Sequence, residues 1–492
     1  MLFNSLIFLF AFLPLTWFFY YIFLKTKQVT LGMVWLVFCS LFFYGWWNPV
    51  YVGLIILSMV FNFLCGKFLS SLTRGRKPIL IFGIGANLIL LGYYKYFNFF
   101  ISILNTTAQT HFNLKYIILP LAISFFTFTQ IAFLVDSYKH ETREYNFLHY
   151  CLFVTFFPHL IAGPIVHHKQ LAPQFAQQVS IDPKDIAIGL SIFIIGLFKK
   201  IMLADSLMIN VGLVYGFTGS SIPHTPDFFA AWIGTISYTL QLYFDFSGYS
   251  DMAIGLSLLF GIKLPINFNS PYKALNIIDF WRRWHMTLSQ FLRDYLYIPL
   301  GGNRKGKTRR YINLWLTMLL GGIWHGASIN FLIWGFLHGF YLVINNIWQS
   351  FSRTFNPRIT RWIPTKILSC GITFIAVMIA WVFFRAHDLH SVKVLLESMI
   401  GLNGFDFSIL HNDQKAPIRW IAFLLFIIWF TPNTQQIFNQ YSPALGIEMV
   451  TKTKQRLFSL SPKMGFVMGF ILFISLLSLF VSPPSEFMYF TF

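Results

Sequence analysis

Charge is what this chain has least of. Asp, Glu, Lys and Arg make up 11% of its 492 residues, where soluble domains carry about 25%, and that shortfall excludes a water-soluble globular protein. Acid is scarcer than base, with 17 Asp and Glu against 36 Lys and Arg. Cysteine is scarcer again. Cys39, Cys65, Cys151 and Cys370 lie far apart inside apolar stretches without CxxC or Cys/His ligand spacing, which argues against a disulfide scaffold or a cysteine-based metal site. No metal site is expected. No repeat period, low-complexity tract or soluble domain is visible, and no GxxxxGK[ST] phosphate loop occurs. The longest gap in charge runs between Arg310 and Arg353, with no Asp, Glu, Lys or Arg inside it.

What fills these gaps is apolar bulk. The chain is 56% hydrophobic and 20% aromatic, with 60 Phe, a surface that only lipid can bury. It reads as an all-α polytopic membrane protein. Apolar segments fall at about 5–24, 31–47, 50–66, 78–103, 117–135, 147–166, 186–198 running on to 216, 228–260, 311–322, 326–349, 367–385, 417–431 and 464–482. That is roughly 11 to 13 transmembrane or re-entrant helices. The first reads as a retained helix, because no basic n-region or cleavage site precedes Lys25. Basic residues cluster in short gaps, such as Arg304, Lys305, Lys307, Arg309 and Arg310. They read as cytoplasmic loops under the positive-inside rule and not as a nucleic-acid surface.

Two runs carry breakers. Phe157 to Pro164 holds two prolines, and Gly321-Gly322 precedes His325. Both are expected as re-entrant breaks, with close helix packing through small residues as the alternative. Asp279 to Leu296 places Trp281, Trp284, Leu288 and Phe291 on one helical face and Arg282, Arg283 and Arg293 on the other. This spacing predicts an amphipathic helix at the membrane interface, with Asp279 as its N-cap.

His325 is the first candidate for chemistry. An ionisable group at bilayer depth is expensive and marks a functional site by default. A neutral buried imidazole suits a general base that takes a proton from a hydroxyl attacking an acyl carbonyl. The alternative is a core histidine bonded to a carbonyl. His285, near arginines, is a second acid/base candidate or an interfacial histidine, and His338 reads as packing. Asp245 and Asp251 form a polar island around an expected break at Gly248. They line a cavity or pair with Arg282, Arg283 or Arg293, since buried charges need partners. Asp205, after Lys199-Lys200, orients a donor or pairs with a neighbouring base. Gly301 to Lys307, with Arg304 and Lys305, is a basic glycine-rich turn able to hold an anionic donor, or a loop obeying charge topology. The tail, 483–492, packs four aromatics into six residues. Tyr489 there is an interfacial anchor, a plug, or a transient acyl carrier.

Two blocks carry a resemblance. Asp279 to Gly306, reading DFWRRWHMTLSQFLRDYLYIPLGGNRKG, and Gly321 to Ala327, reading GGIWHGA, resemble the membrane-bound O-acyltransferase family. The match is to its branch of alginate O-acetyltransferases and their peptidoglycan-acetylating relatives. Tyr243 to Gly255, Phe156 to Pro164 and the Phe-Met-Tyr-Phe-Thr-Phe ending support it, nearly end to end. The resemblance implies one transmembrane domain over 1–492, with helices around a central tunnel. It implies catalytic roles for His325 and His285, and tunnel or donor-binding roles for Asp205 and Arg304. Trp324, Lys305, Arg282, Asp245 and Asp251 join that set as neighbours in the matching blocks. It also implies an acetyl donor such as acetyl-CoA with no bound cofactor, and a multi-pass place in a bacterial inner membrane. Transfer would pass to a periplasmic SGNH-type partner and on to a surface polysaccharide. Partners of related D-alanylating systems end in an aromatic motif with a tyrosine acyl carrier, which makes Tyr489 a relay candidate. The competing classes are a transporter or flippase, whose signature would be inverted repeats, and an enzyme acylating a protein or lipid directly.

Overall fold

Inside a bilayer no water is available to backbone N–H and C=O groups, so a spanning chain must satisfy them within its own helices. The computed structural model is mostly helical over its described residues. It describes residues 1–142, 146–176, 181–217, 222–352, 363–410, 415–450, 457–481 and 485–488. The larger helices are α1 (Phe8–Lys25), α2 (Val29–Gly45), α3 (Val50–Ser71), α4 (Arg76–Thr107), α5 (Ile123–Tyr138), α6 (Phe147–Thr155), α7 (Pro183–Tyr215) and α8 (Phe228–Leu259). After them come α9 (Ile277–Trp281), α10 (Met286–Leu292), α11 (Gly306–His325), α12 (Ile329–Ser352), α13 (Ile363–Arg385), α14 (Leu389–Met399), α15 (Lys415–Phe430) and α16 (Pro462–Val481). Among the described residues seven are long and apolar enough to cross a membrane: α1, α3, α4, α7, α12, α13 and α16. The shorter α2 is also apolar. The remaining expected segments are shorter or more polar helices, so the all-α polytopic reading holds. Outward-facing Phe466, Phe470, Phe473 and Phe480 on α16 are exposed, a surface suited to lipid and not to water.

The chain forms two compact units. One holds Met1–Leu197, Tyr249–Ile266 and the stretch from Thr434 on; the other holds Phe198–Gly248 and Asn267–Asn433. In the first unit small residues and neutral polar groups bring helices together. A Cβ on Gly66 of α3 would lie 2.2 Å from the Phe133 ring of α5, and one on Gly189 of α7 would lie 2.7 Å from the Gly255 oxygen of α8. Asn62 and Asn87 bond to each other across α3 and α4 at 2.7 and 3.2 Å. Gln130 of α5 donates to Ser58 Oγ at 3.0 Å and accepts from the Tyr150 hydroxyl of α6 at 3.3 Å.

Three expected features are corrected. The apolar run of α11 does not break at Gly321-Gly322; the helix continues through both and ends at His325. The glycines serve packing instead, a Cβ on Gly322 meeting the Phe331 backbone oxygen. α8 is likewise unbroken at Gly248. The amphipathic stretch from Asp279 is not one helix: it is interrupted after Trp281, and His285 stands in the left-handed region at φ 41 before α10 begins. The N-cap is Asn276, whose side chain accepts from the Asp279 N–H at 3.0 Å. By contrast, the break at Phe157 is present: α6 ends at Thr155 and a single turn, Phe157–Leu160, follows. Tyr489 lies outside the described residues, as does the tail 483–492 apart from residues 485–488.

Candidate functional site

The second unit carries His285, His325 and His338. α11 and α12 form an antiparallel hairpin joined by Gly326, Ala327 and Ser328. Its closeness depends on glycine at the crossing. A Cβ on Gly322 would sit 2.3 Å from the Phe331 oxygen, one on Gly335 2.5 Å from the Met318 oxygen, and one on Gly339 3.0 Å from the Trp315 Cα. This approach puts Trp334 of α12 beside His325, the last residue of α11. Asn330 ties the start of α12 to the end of α13 by donating to the Ala386 oxygen at 2.8 Å. His325 is 5% exposed. Its ring lies 4.9 Å from Trp324, 4.9 Å from Trp334 at 87°, and 5.1 Å from Phe384 of α13. Three aromatic neighbours limit how that imidazole can turn.

His285 is fully buried at the start of α10. Asn267 shapes its surroundings: the Asn267 oxygen accepts from Met286 N–H, and Oδ1 accepts from the Thr287 N–H and hydroxyl. Oδ1 is also 3.1 Å from His285 Nδ1. An amide oxygen only accepts, so Nδ1 carries the proton and Nε2 the lone pair. Burial pushes the imidazole down to about 3, so it is neutral at ordinary pH. Phe246 of α8 packs on it edge to face at 4.8 Å. Ring contacts then run from Phe246 to Trp284, Trp381 and Trp334, and so to His325, in steps of 6.4, 5.1, 5.9 and 4.9 Å. The two histidine blocks, 40 residues apart in sequence by their numbers, thus meet one continuous aromatic interior.

Asp245 adjoins Phe246 on α8 but turns toward α7. There Lys200, 1% exposed, bonds Asp245 at 2.7 Å and Asp205 at 2.9 Å. Lys200 sits where α7 widens into a π-type turn over Lys199–Ala204, a distortion frequent at functional sites. The expected pairing of Asp245 and Asp251 with Arg282, Arg283 or Arg293 is not what forms. Six residues along an unbroken helix turn the two carboxylates to different sides. Asp251 belongs to the first unit, where Thr434 and Gln435 donate to it at 2.7 and 3.0 Å. Arg283 pairs with Asp279 at 2.9 Å, Arg293 with Asp294 at 2.7 Å, and Arg282 is exposed.

Arg304 and Lys305 are exposed on a turn where Gly301, Gly302 and Gly306 take positive φ. Asn313 anchors that turn by donating to the Gly302 oxygen at 3.1 Å. The turn opens α11, and His325 closes it. Twenty residues of helix are about 30 Å long. The basic turn and His325 are therefore at opposite ends of one helix. Trp324 is buried against His325. Among the described residues no group of three or more His, Cys, Asp or Glu is placed to hold a metal ion.

Sequence reasoning passes over Lys200 and Trp334. Lys200 carries a signal, being a lysine inside an apolar run. Trp334 had none, because aromatic residues are everywhere in this chain.

A family model described as the membrane-bound O-acyltransferase family matches residues 7–385. The chain belongs to the membrane-bound O-acyltransferase family. Its relatives include the peptidoglycan O-acetyltransferase of Helicobacter pylori, 42% identical over 100% of this chain and 98% of that protein. The protein named "Probable alginate O-acetylase AlgI" of Pseudomonas aeruginosa is 40% identical over 89% of this chain and 83% of its own length. The teichoic acid D-alanyltransferase of Bacillus subtilis is 28% identical over 55% of this chain and 69% of its own. This family member is thus a multi-pass membrane enzyme, an O-acyltransferase of the acetyltransferase kind.

Proposed function

We propose that the chain moves an acetyl group from acetyl-CoA, at the cytoplasmic side of a bacterial inner membrane, toward a surface polysaccharide such as peptidoglycan or alginate. The observation that carries this reading is His325: an imidazole almost free of water, held by three rings inside the segment that matches the family. Its basic nitrogen takes the proton from an acceptor hydroxyl as the hydroxyl oxygen attacks the thioester carbonyl. The carbon–sulfur bond breaks, the ester forms, and the imidazolium returns the proton to the departing thiolate. Atoms and charge balance without an ion gradient. His285, with its lone pair on Nε2, is the second acid/base. Lys200 holds Asp205 and Asp245 in place behind the aromatic interior.

The positive-inside rule puts Arg304 to Arg310 in the cytoplasm, which places His325 a helix length away. Only an elongated donor touches both ends. Coenzyme A is one, with phosphates for Arg304 and Lys305 and a pantetheine arm reaching toward the rings. The acetyl group then passes to a periplasmic SGNH-type partner, which sets it on the polymer. Tyr489 is a relay candidate for that passage.

Radiolabelled acetyl-CoA supplied to membranes holding the chain tests this. Transfer by wild type that falls by about 1,000-fold in His325→Ala, at equal expression, is the expected result. Undiminished transfer in His325→Ala sinks the reading. Loss in Tyr489→Phe as well supports the relay, and full activity in Tyr489→Phe discards it.

A further inference from the structure

His338 was expected to be packing, and the structure gives it more to do. It lies on α12, one turn beyond Trp334, and is fully buried. Trp334 has His325 on one side at 4.9 Å and His338 on another at 4.7 Å. The indole N–H of Trp281, on α9, points at His338 Nδ1 from 3.3 Å. An indole nitrogen only donates, so Nδ1 holds the lone pair and Nε2 the proton. This is the opposite tautomer to that of His285. It gives His338 no lone pair to offer toward a reacting hydroxyl.

The arrangement is costly for a packing residue. Nε2–H meets no hydrogen-bond partner among the described residues, and neither does the Trp334 indole N–H. A buried donor left unsatisfied costs about 1–3 kcal/mol, whereas an apolar ring of the same shape avoids that cost. Phe280, Trp381 and Tyr341 also pack around His338, at 6.2, 6.0 and 5.9 Å. A phenylalanine would fill this place, so what the imidazole adds is the bond to Trp281. That bond joins α9, in the first histidine block, to α12, which carries the ring facing His325.

We infer that the Trp281–His338 hydrogen bond sets the position of Trp334 and, through it, the aim of the His325 imidazole, which makes His338 a positioning residue for acyl transfer. The inference rests on His325 being the proton acceptor. Misplacement by about 1 Å of a group remote from the reacting atoms is enough to cost on the order of 100-fold in rate.

The test uses the full chain in membrane vesicles, with thiol release from acetyl-CoA followed across pH. His338→Phe keeps a ring and removes the acceptor; Trp281→Phe keeps a ring and removes the donor. Each is expected to lower kcat by about 10- to 100-fold with the KM for acetyl-CoA unchanged. Each should also move the acid limb of the kcat profile, which a mere loss of folded protein does not do. The double variant should be no worse than either single one, because both break the same bond. His338→Asn, whose Oδ1 can replace Nδ1 as acceptor, should restore most of the rate. Wild-type kcat and an unmoved profile in His338→Phe overturn the inference. So do additive losses in the double variant. Activity surviving in His325→Ala, or none in wild type, overturns instead the reading on which it rests.

Discussion

In the first unit, Ser58, Asn62, Asn87, Gln130 and Tyr150 are buried, neutral and bonded to one another across four helices. In the second, ionic and titratable groups gather: buried Lys200 with buried Asp245 and half-buried Asp205, and His285, His325 and His338 among rings. Both sets lie in a chain built for lipid. Amides and hydroxyls complete one another's bonds and act as glue between helices. Ions and imidazoles are more expensive to bury; the first unit buries some as well, among them His159 and Asp251, but in the second three imidazoles share one set of aromatic rings.

The sharpest way to break this comparison is at Lys200. Lys200→Met leaves the buried Asp245 and the half-buried Asp205 without their cation and should cost about 3–5 kcal/mol. The unfolding midpoint in detergent would fall, and adding Asp205→Asn and Asp245→Asn should recover much of it. A midpoint unchanged in Lys200→Met would mean that the ionic cluster is not held as a unit.

His285 offers a pH handle. Its folded value, about 3, lies below the ordinary value of 6.5, so the unfolded chain binds the extra proton first. The stability it contributes is complete above about 6.5 and is lost as pH falls toward 3. Unfolding midpoints followed over that range should fall less steeply in His285→Asn than in wild type. Equal slopes would refute the assignment.

Next in size is the hairpin crossing. Gly335→Ala forces a Cβ to 2.5 Å from the Met318 oxygen, and overpacking of this kind costs about 1–3 kcal/mol. Because the same crossing sets Trp334 against His325, acetyl transfer should fall along with stability. The smallest effect belongs to the first unit. Asn62→Leu should cost about 1 kcal/mol and leave the KM and kcat of transfer at wild-type levels. A large loss of kcat there, with folding intact, would erase the distinction between the two interiors.

Much of this was legible in order along the chain. α7 and α8 lie where continuous apolar runs required them, and the break at Phe157 follows from Pro158 and Pro164. His325 stood out because nothing near it in sequence is charged. The features that were misread share one cause. Gly321-Gly322 and Gly248 look like breakers locally, yet each sits in unbroken helix, and at Gly322 a partner backbone occupies the space a side chain would take. The stretch from Asp279 has good amphipathic spacing, yet Asn267, far away in sequence, bonds Met286 and Thr287 and holds the chain in a bend at His285.

Composition and local pattern therefore determined on their own that this chain enters a membrane as helices, and they singled out His325 as a histidine in a long uncharged stretch, since both follow from the cost of moving groups out of water. Which tautomer each histidine holds, which carboxylate Lys200 meets and which ring faces His325 were decided only by tertiary structure. Those choices depend on directional contacts between residues 5 to 59 positions apart, and no local period encodes them.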